Sequence, residues 1–299
     1  MRILVTGASG FVDRAVVQRL LGDGHTVLGV SRNRPDRIIP NSNLHWIQAD
    51  LSSPGQYQGR VRDFSPEIVV HLAWQDIPDY SFDVSKANLD QSFVFFTFLF
   101  SVESCSKVLV AGSCWELNRS MGSCLETEIG MPTDNFTWAK HTLRSWLEIE
   151  CRKKQIHLGW IRLFYVYGRR QRSGSLIPSI LECLRDGQLP ELRTPRNAHD
   201  FVYVDDVADG FSRAVSRKIP SGIYHLGSGQ STPVLDICRL AEKIVSNSEQ
   251  LTIQLEVNTR ANVCRVDFWA DCTSSRQELG WVPETNLYDG IAQTWEAIK

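Results

Sequence analysis

The chain lacks an excess of charge of either sign. Its 299 residues include 32 Lys and Arg against 34 Asp and Glu, which gives a formal net charge of −2. Proteins that bind a nucleic-acid backbone or an anionic membrane usually carry a basic excess, so this balance argues against both partners. With 42% hydrophobic residues, the chain still has enough apolar side chains for a full core.

Long hydrophobic runs are missing as well. The aromatic and aliphatic run at residues 93–100 is far shorter than the roughly 18 apolar residues that a membrane span requires. Met1 and Arg2 lead directly into an Ile-Leu-Val run, without the n-region or the cleavage site of a secretory signal. We therefore expect no membrane partner and a cytoplasmic location.

The cysteines show no pairing pattern. The eight of them are scattered, none forms a Cys-x-x-Cys pair, and no Cys/His cluster has the spacing of zinc ligands. Scattered reduced thiols are typical of cytosolic proteins. The sequence predicts neither a disulfide framework nor a metal site.

The first half of the chain alternates short apolar runs with longer amphipathic stretches. The runs predict buried strands at residues 3–5, 26–30, 44–47, 68–72, 108–111 and 158–163. Helix-length segments between them imply parallel strands joined by crossovers, so the predicted fold class is α/β with a Rossmann-type doubly wound sheet. Later strands are short and broken by prolines. We predict a dinucleotide-binding domain over residues 1–167, with a return around 200–228, and a smaller C-terminal α/β substrate lobe over 168–299.

The segment between the first strand and the first helix is typical of a nucleotide site. Its small residues let backbone N–H groups approach a pyrophosphate, and the helix N-terminus favours negative charge. The predicted contacts are Gly7, Ser9, Gly10, Phe11 and Val12.

Asp13 departs from this pattern, because a third glycine usually stands there and allows close helix–strand packing. A carboxylate about 4 Å from a pyrophosphate oxygen costs about 1–4 kcal/mol, depending on the dielectric. We expect weaker cofactor binding unless Asp13 points outward.

The second strand ends in Ser31-Arg32-Asn33-Arg34, without the acidic residue that accepts a hydrogen bond from the ribose 2′-hydroxyl of NAD. A hydroxyl and two guanidinium groups suit a 2′-phosphate better. The sequence favours NADP(H) over NAD, and a solvated basic loop is the alternative interpretation.

The ends of the third and fourth strands offer further contacts. Asp50 is placed to accept a hydrogen bond from the adenine amino group, although a turn cap explains it equally well. Leu72 and Ala73, followed by Trp74, are placed to line the cofactor. We interpret the preceding His71 as a hydrogen-bonded core histidine rather than a catalyst.

These motifs together resemble a known family, the extended short-chain dehydrogenase/reductases. The chain is most similar to their NAD(P)-dependent epimerase/dehydratase branch, which acts on nucleotide sugars, and the likeness covers essentially the whole length. The motifs that carry it are Thr6-Gly7-Ala8-Ser9-Gly10-Phe11, Asp50-Leu51, His71-Leu72-Ala73, Asn88, Ser113, Lys140, residues 162–168, residues 200–206 and Leu279-Gly280-Trp281. The Ala-Gly-Ser-Cys-Trp-Glu run at 111–116, with Cys124 downstream, is similar to nucleotide-linked deoxysugar 4-ketoreductases.

The resemblance implies an active site of a Ser or Thr, a Tyr, and a Lys four residues later. Carried onto this chain, Ser113 binds the sugar oxygen and Lys140 holds the nicotinamide ribose and lowers the Tyr pKa. The Tyr position, however, is Phe136, which has no proton to give. The resemblance also places Leu51 and Asn88 at the cofactor.

Three explanations of Phe136 remain open: a disabled variant, an enzyme that uses another acid, and a protein that has abandoned chemistry. Loss of a general acid typically costs 10²–10⁴ in rate. The candidate replacement acids are Cys114, Cys124, Asp134 and Tyr165.

The resemblance also suggests where a nucleotide sugar binds. Tyr165 and His199 replace residues common at that pocket, Cys114 adjoins Ser113, and Arg260 lies in the region where relatives contact the nucleotide diphosphate. A solvated surface arginine is an equal interpretation of Arg260. We further expect a homodimer through the helices at 84–104 and 138–151, because the aromatics at 93–100 are too many for one face.

The leading hypothesis is therefore NADP(H)-dependent reduction of a 4-keto deoxysugar carried on a nucleotide. A nucleotide-sugar epimerase or dehydratase is the alternative among enzymes. A non-catalytic NADP-binding regulator is the alternative outside them, and Phe136 and Asp13 favour it.

Overall fold

The computed structural model describes residues 1–34, 41–259 and 263–299. Its strands are β1 (Arg2–Thr6), β2 (Thr26–Ser31), β3 (Leu44–Gln48), β4 (Ile68–His71), β5 (Lys107–Ser113), β6 (Met121–Cys124), β7 (His157–Leu163), β8 (Tyr165–Tyr167), β9 (Ala198–His199), β10 (Phe201–Tyr203), β11 (Gly222–Leu226), β12 (Thr232–Pro233) and β13 (Asp267–Ala270). Its α-helices are α1 (Phe11–Gly22), α2 (Gln58–Phe64), α3 (Phe82–Leu99), α4 (Asn135–Lys154), α5 (Leu176–Arg185), α6 (Val204–Ser216), α7 (Val234–Ser246), α8 (Gln250–Asn258) and α9 (Leu287–Glu296).

A parallel sheet of seven strands, in the order β3-β2-β1-β4-β5-β7-β11, forms the centre of the molecule. The predicted Rossmann-type fold class is therefore confirmed. The chain first builds outward from β1 to β3 and then returns to place β4 on the other side of β1. This reversal of strand order opens a crevice at the carboxyl ends of β1 and β4, where ligands of such sheets bind.

The two faces of the sheet are covered by different helices. Apolar side chains of α3 and α4 pack on one face, and those of α1 and α6 pack on the other. His71 lies in the first of these cores, where Thr6 Oγ1 and Ser92 Oγ lie 2.8 and 3.3 Å from its two ring nitrogens. Burial lowers the pKa of His71 to about 3, so the imidazole is a neutral core group.

The aromatic residues of α3 are mostly covered by the chain itself. Phe95, Phe96 and Phe98 are buried against the sheet, and the Phe93 ring packs on Trp146 of α4 at a centroid distance of 4.8 Å. The number of aromatics in α3 therefore does not by itself require a second copy of the chain. The homodimer stays a prediction.

Each half of the chain contributes a strand to a sheet that is formed mainly by the other half. The strand β6, from the first half, joins the sheet β12-β9-β13-β6, whereas β11, from the second half, joins the main sheet. The buried Lys107 ammonium fixes this return, because it donates hydrogen bonds to the Ala214, Val215 and Arg217 carbonyls at the end of α6. The domain boundary at residue 168 stays a prediction.

Among the described residues, no helix is long and apolar enough to cross a membrane.

Candidate functional site

A cavity of about 890 Å³ opens at the carboxyl ends of the central strands. It runs from the start of α1, past the start of α4, to the loops of the smaller sheets. The predicted site residues that line it are Ser9, Gly10, Phe11, Val12, Leu72, Trp74, Ser113, Cys114, Phe136, Lys140, Tyr165 and His199. Residues chosen for separate roles in cofactor binding, catalysis and substrate binding thus share one cavity.

Other predicted residues do not line this cavity. Gly7 and Ala73 form the floor of the turn before α1, and the residues expected at the adenine end lie farther along the sheet edge. These residues are Ser31, Arg32, Asp50 and Leu51, and Asn88 on α3 does not line the cavity either. Arg260 lies outside the described residues.

The turn before α1 is tight because two chain segments meet there. Gly7 has φ +78°, and a Cβ at this position would lie 2.8 Å from the backbone of Ala73. The Gly10 amide donates a 2.9 Å hydrogen bond to the Gly7 carbonyl, and α1 begins at Phe11. The first amides of a helix have no partner within it, so they are available to an anion.

Asp13 points into this turn rather than outward. Its side chain is only 8% exposed, and its carboxyl group lies where a Cβ on Gly7 or Gly10 would stand. Within the described part of the chain, Oδ1 has no hydrogen-bond partner. Burial raises the pKa of Asp13 well above its usual range, so the structure favours the neutral acid.

The adenine end has its own hydrogen bonds. The Ser31 hydroxyl donates to the Asn33 carbonyl at 2.6 Å, while the Arg32 side chain is exposed. Asp50 accepts hydrogen bonds from the amide and hydroxyl of Ser52, which lower its pKa, with a smaller contribution from Arg32. Asp50 therefore caps this turn, and its contact with the adenine amino group stays a prediction.

The contact of Asn88 with a cofactor stays a prediction, and its side chain has hydrogen-bond partners within the chain. Its amide oxygen accepts a 2.7 Å hydrogen bond from the Gln75 amide, and its Nδ2 donates to the Val84 carbonyl at 2.9 Å. Both ends of the side chain thus hold the loop between β4 and α3. Asn88 is a positioning residue for that loop rather than a lining residue of the cavity.

Ser113 and Lys140 meet at the other end of the cavity. Ser113 ends β5, and its hydroxyl accepts a 3.2 Å hydrogen bond from the Trp115 amide. The Lys140 ammonium donates to the Ala111 carbonyl at 2.9 Å and lies 3.9 Å from the centre of the Trp74 ring. Burial lowers the pKa of Lys140 to about 8, although Glu116 opposes this shift.

A buried ion pair supports the Ser113 turn. Glu116 Oε1 accepts a 2.7 Å hydrogen bond from the Ser113 amide, and Trp160 Nε1 donates to both Glu116 oxygens. The Arg162 guanidinium lies 3.6 Å from the same carboxylate, and both side chains are fully buried. This role of Glu116 was not predicted from the sequence, because only the fold brings β7 beneath the turn after β5.

Phe136 lies in an aromatic wall. It is 5% exposed, and its ring meets the edge of Trp74 at 5.4 Å and the ring of Tyr80 at 5.3 Å. Tyr80 also contacts Trp115 at 5.1 Å and lines the cavity. Tyr80 was not predicted as a site residue. It lies in the loop that follows the central strand β4, and such loops bind ligands in sheets of this kind.

The replacement acids suggested by the sequence differ in whether they line the cavity. Cys124 is fully buried and does not line the cavity, and Asp134 caps α4 by accepting a 2.7 Å hydrogen bond from the Thr137 amide. Burial raises the pKa of the Cys114 thiol far above its usual range. Cys114 and Tyr165, which both line the cavity, remain from that set.

Tyr165 and His199 form the far wall of the cavity. Their rings lie 4.2 Å apart, and the Tyr165 hydroxyl accepts a 3.3 Å hydrogen bond from Trp115 Nε1. Burial lowers the pKa of His199 to about 4, so this wall carries no charge from the imidazole near neutral pH.

The sequence model of the NAD dependent epimerase/dehydratase family matches residues 3–227. The chain belongs to this family. The match confirms the resemblance to extended short-chain dehydrogenase/reductases and the prediction of an NAD(P)-dependent enzyme.

Members of the family with known names are similar over their full length. UDP-glucose 4-epimerase of Mycolicibacterium smegmatis is 26% identical, with 100% of this chain and 99% of that protein covered. The dTDP-4-dehydro-6-deoxyglucose reductase of Escherichia coli is 22% identical, with 99% and 97% covered. The structure of Thermotoga maritima UDP-glucose 4-epimerase with UDP-glucose superposes with a TM-score of 0.85 at 23% identity, covering 99% and 98% of the two chains.

The residues present fit a dinucleotide of the kind this family uses. Gly7 and Gly10 leave room where a Cβ would fill the turn, and Lys140 directs an ammonium group into the same cavity. The carboxyl of Asp13 is compatible with a diphosphate only in its neutral form, in which Oδ1 or Oδ2 carries a proton to donate. The fit therefore depends on protonation of Asp13.

Proposed function

We propose that the chain reduces a 4-keto deoxysugar carried on a nucleotide, with NADP(H) as the reductant. The observation that carries this proposal is the single cavity that joins the start of α1 to Ser113 and Lys140. When bound, a dihydronicotinamide supplies a hydride to the keto carbon.

The residues of the chain supply binding and orientation. The Ser113 hydroxyl is placed to hydrogen-bond the keto oxygen, because it ends β5 at the cavity. It accepts from Trp115 and donates to no group among the residues that the structure describes. Lys140 places a positive charge between that oxygen and the turn before α1. Trp74, Trp115 and Phe136 line the space between these groups with apolar surface, which excludes water from the reacting carbon.

The preference for NADP(H) rests on Arg32. Its side chain is exposed just after β2, where a 2′-phosphate would offer the guanidinium a bidentate partner. Calorimetric titration with NADPH and NADH tests this point. We expect tighter binding of NADPH and loss of the difference in Arg32→Ala, and equal affinities in the wild type would contradict the proposal.

An epimerase or dehydratase remains the second candidate, because the similar proteins named above include epimerases. Such an enzyme recycles the hydride, whereas a reductase consumes NADPH in proportion to product. A panel of nucleotide-linked 4-keto sugars, followed by absorbance of the reduced nicotinamide, separates the two. Net oxidation supports the reductase, whereas isomerised sugar without net oxidation supports the epimerase.

The non-catalytic regulator is the third candidate. It predicts cofactor binding without any turnover of the sugar panel.

We further propose a cytoplasmic homodimer, joined where Val94 of α3 and Ile149 of α4 are exposed. Sedimentation as a monomer of 33.9 kDa at micromolar concentration would contradict the dimer.

A further inference from the structure

We propose that Tyr80, in the loop between β4 and α3, supplies the proton that Phe136 cannot give. The inference rests on the reductase function proposed above and assigns a new role within its site. Tyr80 donates its phenolic proton to the keto oxygen while the carbon of that carbonyl receives the hydride. The ketone becomes an alcohol, the dihydronicotinamide is oxidised, and the phenolate of Tyr80 takes a proton from water at the cavity mouth.

The ring of Tyr80 contacts the ring of Phe136, which stands where the family has its tyrosine. The rings of Tyr80 and Phe136 lie 5.3 Å apart and are inclined by 60°, and both line the cavity. A phenol in contact with the Phe136 ring reaches the same space from a different element of the fold. Tyr80 also packs against Trp115, two residues after Ser113, which keeps it on the Ser113 side of the cavity.

Hydrogen bonds from other parts of the chain hold the Tyr80 loop in place. Asn88 binds the start of the loop through the Gln75 amide, and Arg172 Nη1 donates a hydrogen bond to the Ile77 carbonyl. Asn135 Nδ2 donates to the carbonyl of Tyr80 itself at 3.5 Å. These three bonds from three elements fix the phenol relative to α4, as a proton donor requires.

The environment of Tyr80 keeps its phenol protonated. Burial is the main cause that raises the pKa of Tyr80, and Asp134 and Cys114 add to it. The Arg172 guanidinium acts in the opposite direction and stabilises a phenolate. Tyr80 is therefore protonated near neutral pH, which a proton donor for reduction requires, and it has a cation nearby for the moment after transfer.

Tyr165 is the competing phenol in the same cavity. Its ring packs on His199 at 4.2 Å, and its hydroxyl accepts from the Trp115 indole, which lies between it and Phe136. This placement suits contact with the sugar rather than transfer at the position of the missing hydroxyl. The experiment therefore compares the two tyrosines directly.

Single-turnover NADPH oxidation with a matched 4-keto nucleotide sugar is measured for Tyr80→Phe, Tyr165→Phe and Tyr80→Phe combined with Phe136→Tyr. We expect Tyr80→Phe to lose about 10²–10⁴ in rate, the usual cost of losing a general acid. Phe136→Tyr should restore most of that loss in the combined variant. Tyr165→Phe should weaken binding of the sugar but lose less rate at saturating sugar than Tyr80→Phe, because Tyr165 contacts the sugar rather than giving the proton. Tyr288→Phe, exposed on α9, is the matched control. An unchanged rate in Tyr80→Phe overturns the proposal.

A second readout needs no cofactor. In protein labelled with ¹³C at the tyrosine Cζ, the Tyr80 signal is assigned by its absence in Tyr80→Phe. We expect the sugar alone to shift that signal, and a signal that does not move overturns the assignment of Tyr80. If the signal shifts but the wild type oxidises no NADPH with any sugar, the proposed reduction fails and the contact between Tyr80 and the sugar stands.

Discussion

The two ends of the cavity depart from the family pattern in opposite directions. At the end formed by α1, Asp13 adds a carboxyl group to a turn that suits a diphosphate. At the end formed by α4, Phe136 removes a hydroxyl from an otherwise retained set of groups. A missing hydroxyl is replaceable from any element that borders the cavity, and Tyr80 borders it. An added acid is buried where it stands, so only its own protonation removes the charge.

After that of Tyr80→Phe, the largest effect is expected from the Lys140 ammonium group at the α4 end. Lys140→Met should lower the rate of NADPH oxidation by about 10²–10³, the usual cost of removing one preorganised donor. Lys86→Met, on the exposed face of α3, is the control, since the one ion pair of Lys86 among the described residues is with the exposed Asp90. A loss smaller than threefold would show that the reduction does not require the Lys140 ammonium group.

Removal of the added acid should have the next largest effect. At pH 8, Asp13→Gly should bind NADPH about tenfold or more tightly, because a carboxylate about 4 Å from a diphosphate oxygen costs about 1–4 kcal/mol. Asp13→Asn keeps the shape and removes the charge, so the two variants separate repulsion from crowding. Calorimetric titration at pH 5 and pH 8 measures both. Wild-type affinity that does not change with pH would contradict a role for the charge.

A smaller effect is expected from restoring the missing hydroxyl. If Tyr80 already supplies the proton, Phe136→Tyr should change the single-turnover rate by less than tenfold in the presence of Tyr80. A rise of two or more orders of magnitude would mean that the hydroxyl had no replacement. That outcome would favour a disabled enzyme and count against Tyr80.

The smallest effect is expected in the pH dependence of stability. Asp13 has its pKa raised in the folded state, so the unfolded chain releases this proton first, near its usual pKa of about 3.9. Its contribution to the free energy of unfolding is therefore highest below that pH and falls as the pH rises through the folded pKa. Asp13→Asn should lose this decline, as urea unfolding between pH 4 and pH 8 would show. Parallel pH curves for the two proteins would contradict burial of the acid.

Local sequence patterns were a good guide to the main sheet. The strands β1, β2, β4, β5 and β7 follow apolar runs that are largely buried, and a run buried on both faces is readable without knowing its neighbours. The strand β3 also follows an apolar run, but it lies at the edge of the sheet and is only partly buried, so the prediction of a buried strand there was wrong. The strand β6 was not predicted, because its Met-Gly-Ser-Cys sequence has no strand pattern and pairing with β13 alone makes it a strand. The same limit applies to Glu116, whose partner Trp160 is 44 residues away.

The sequence by itself determined the family, the fold class and the identities of the changed groups, because a turn before a helix and an i, i+4 pair are local patterns. It also determined that Phe136 has no proton to give. Only the tertiary structure decided that Asp13 points inward and that Tyr80 meets the Phe136 ring, 56 positions later in the chain. Contacts of that kind depend on how β4 and α4 lie across the sheet, and no spacing along the chain encodes that distance.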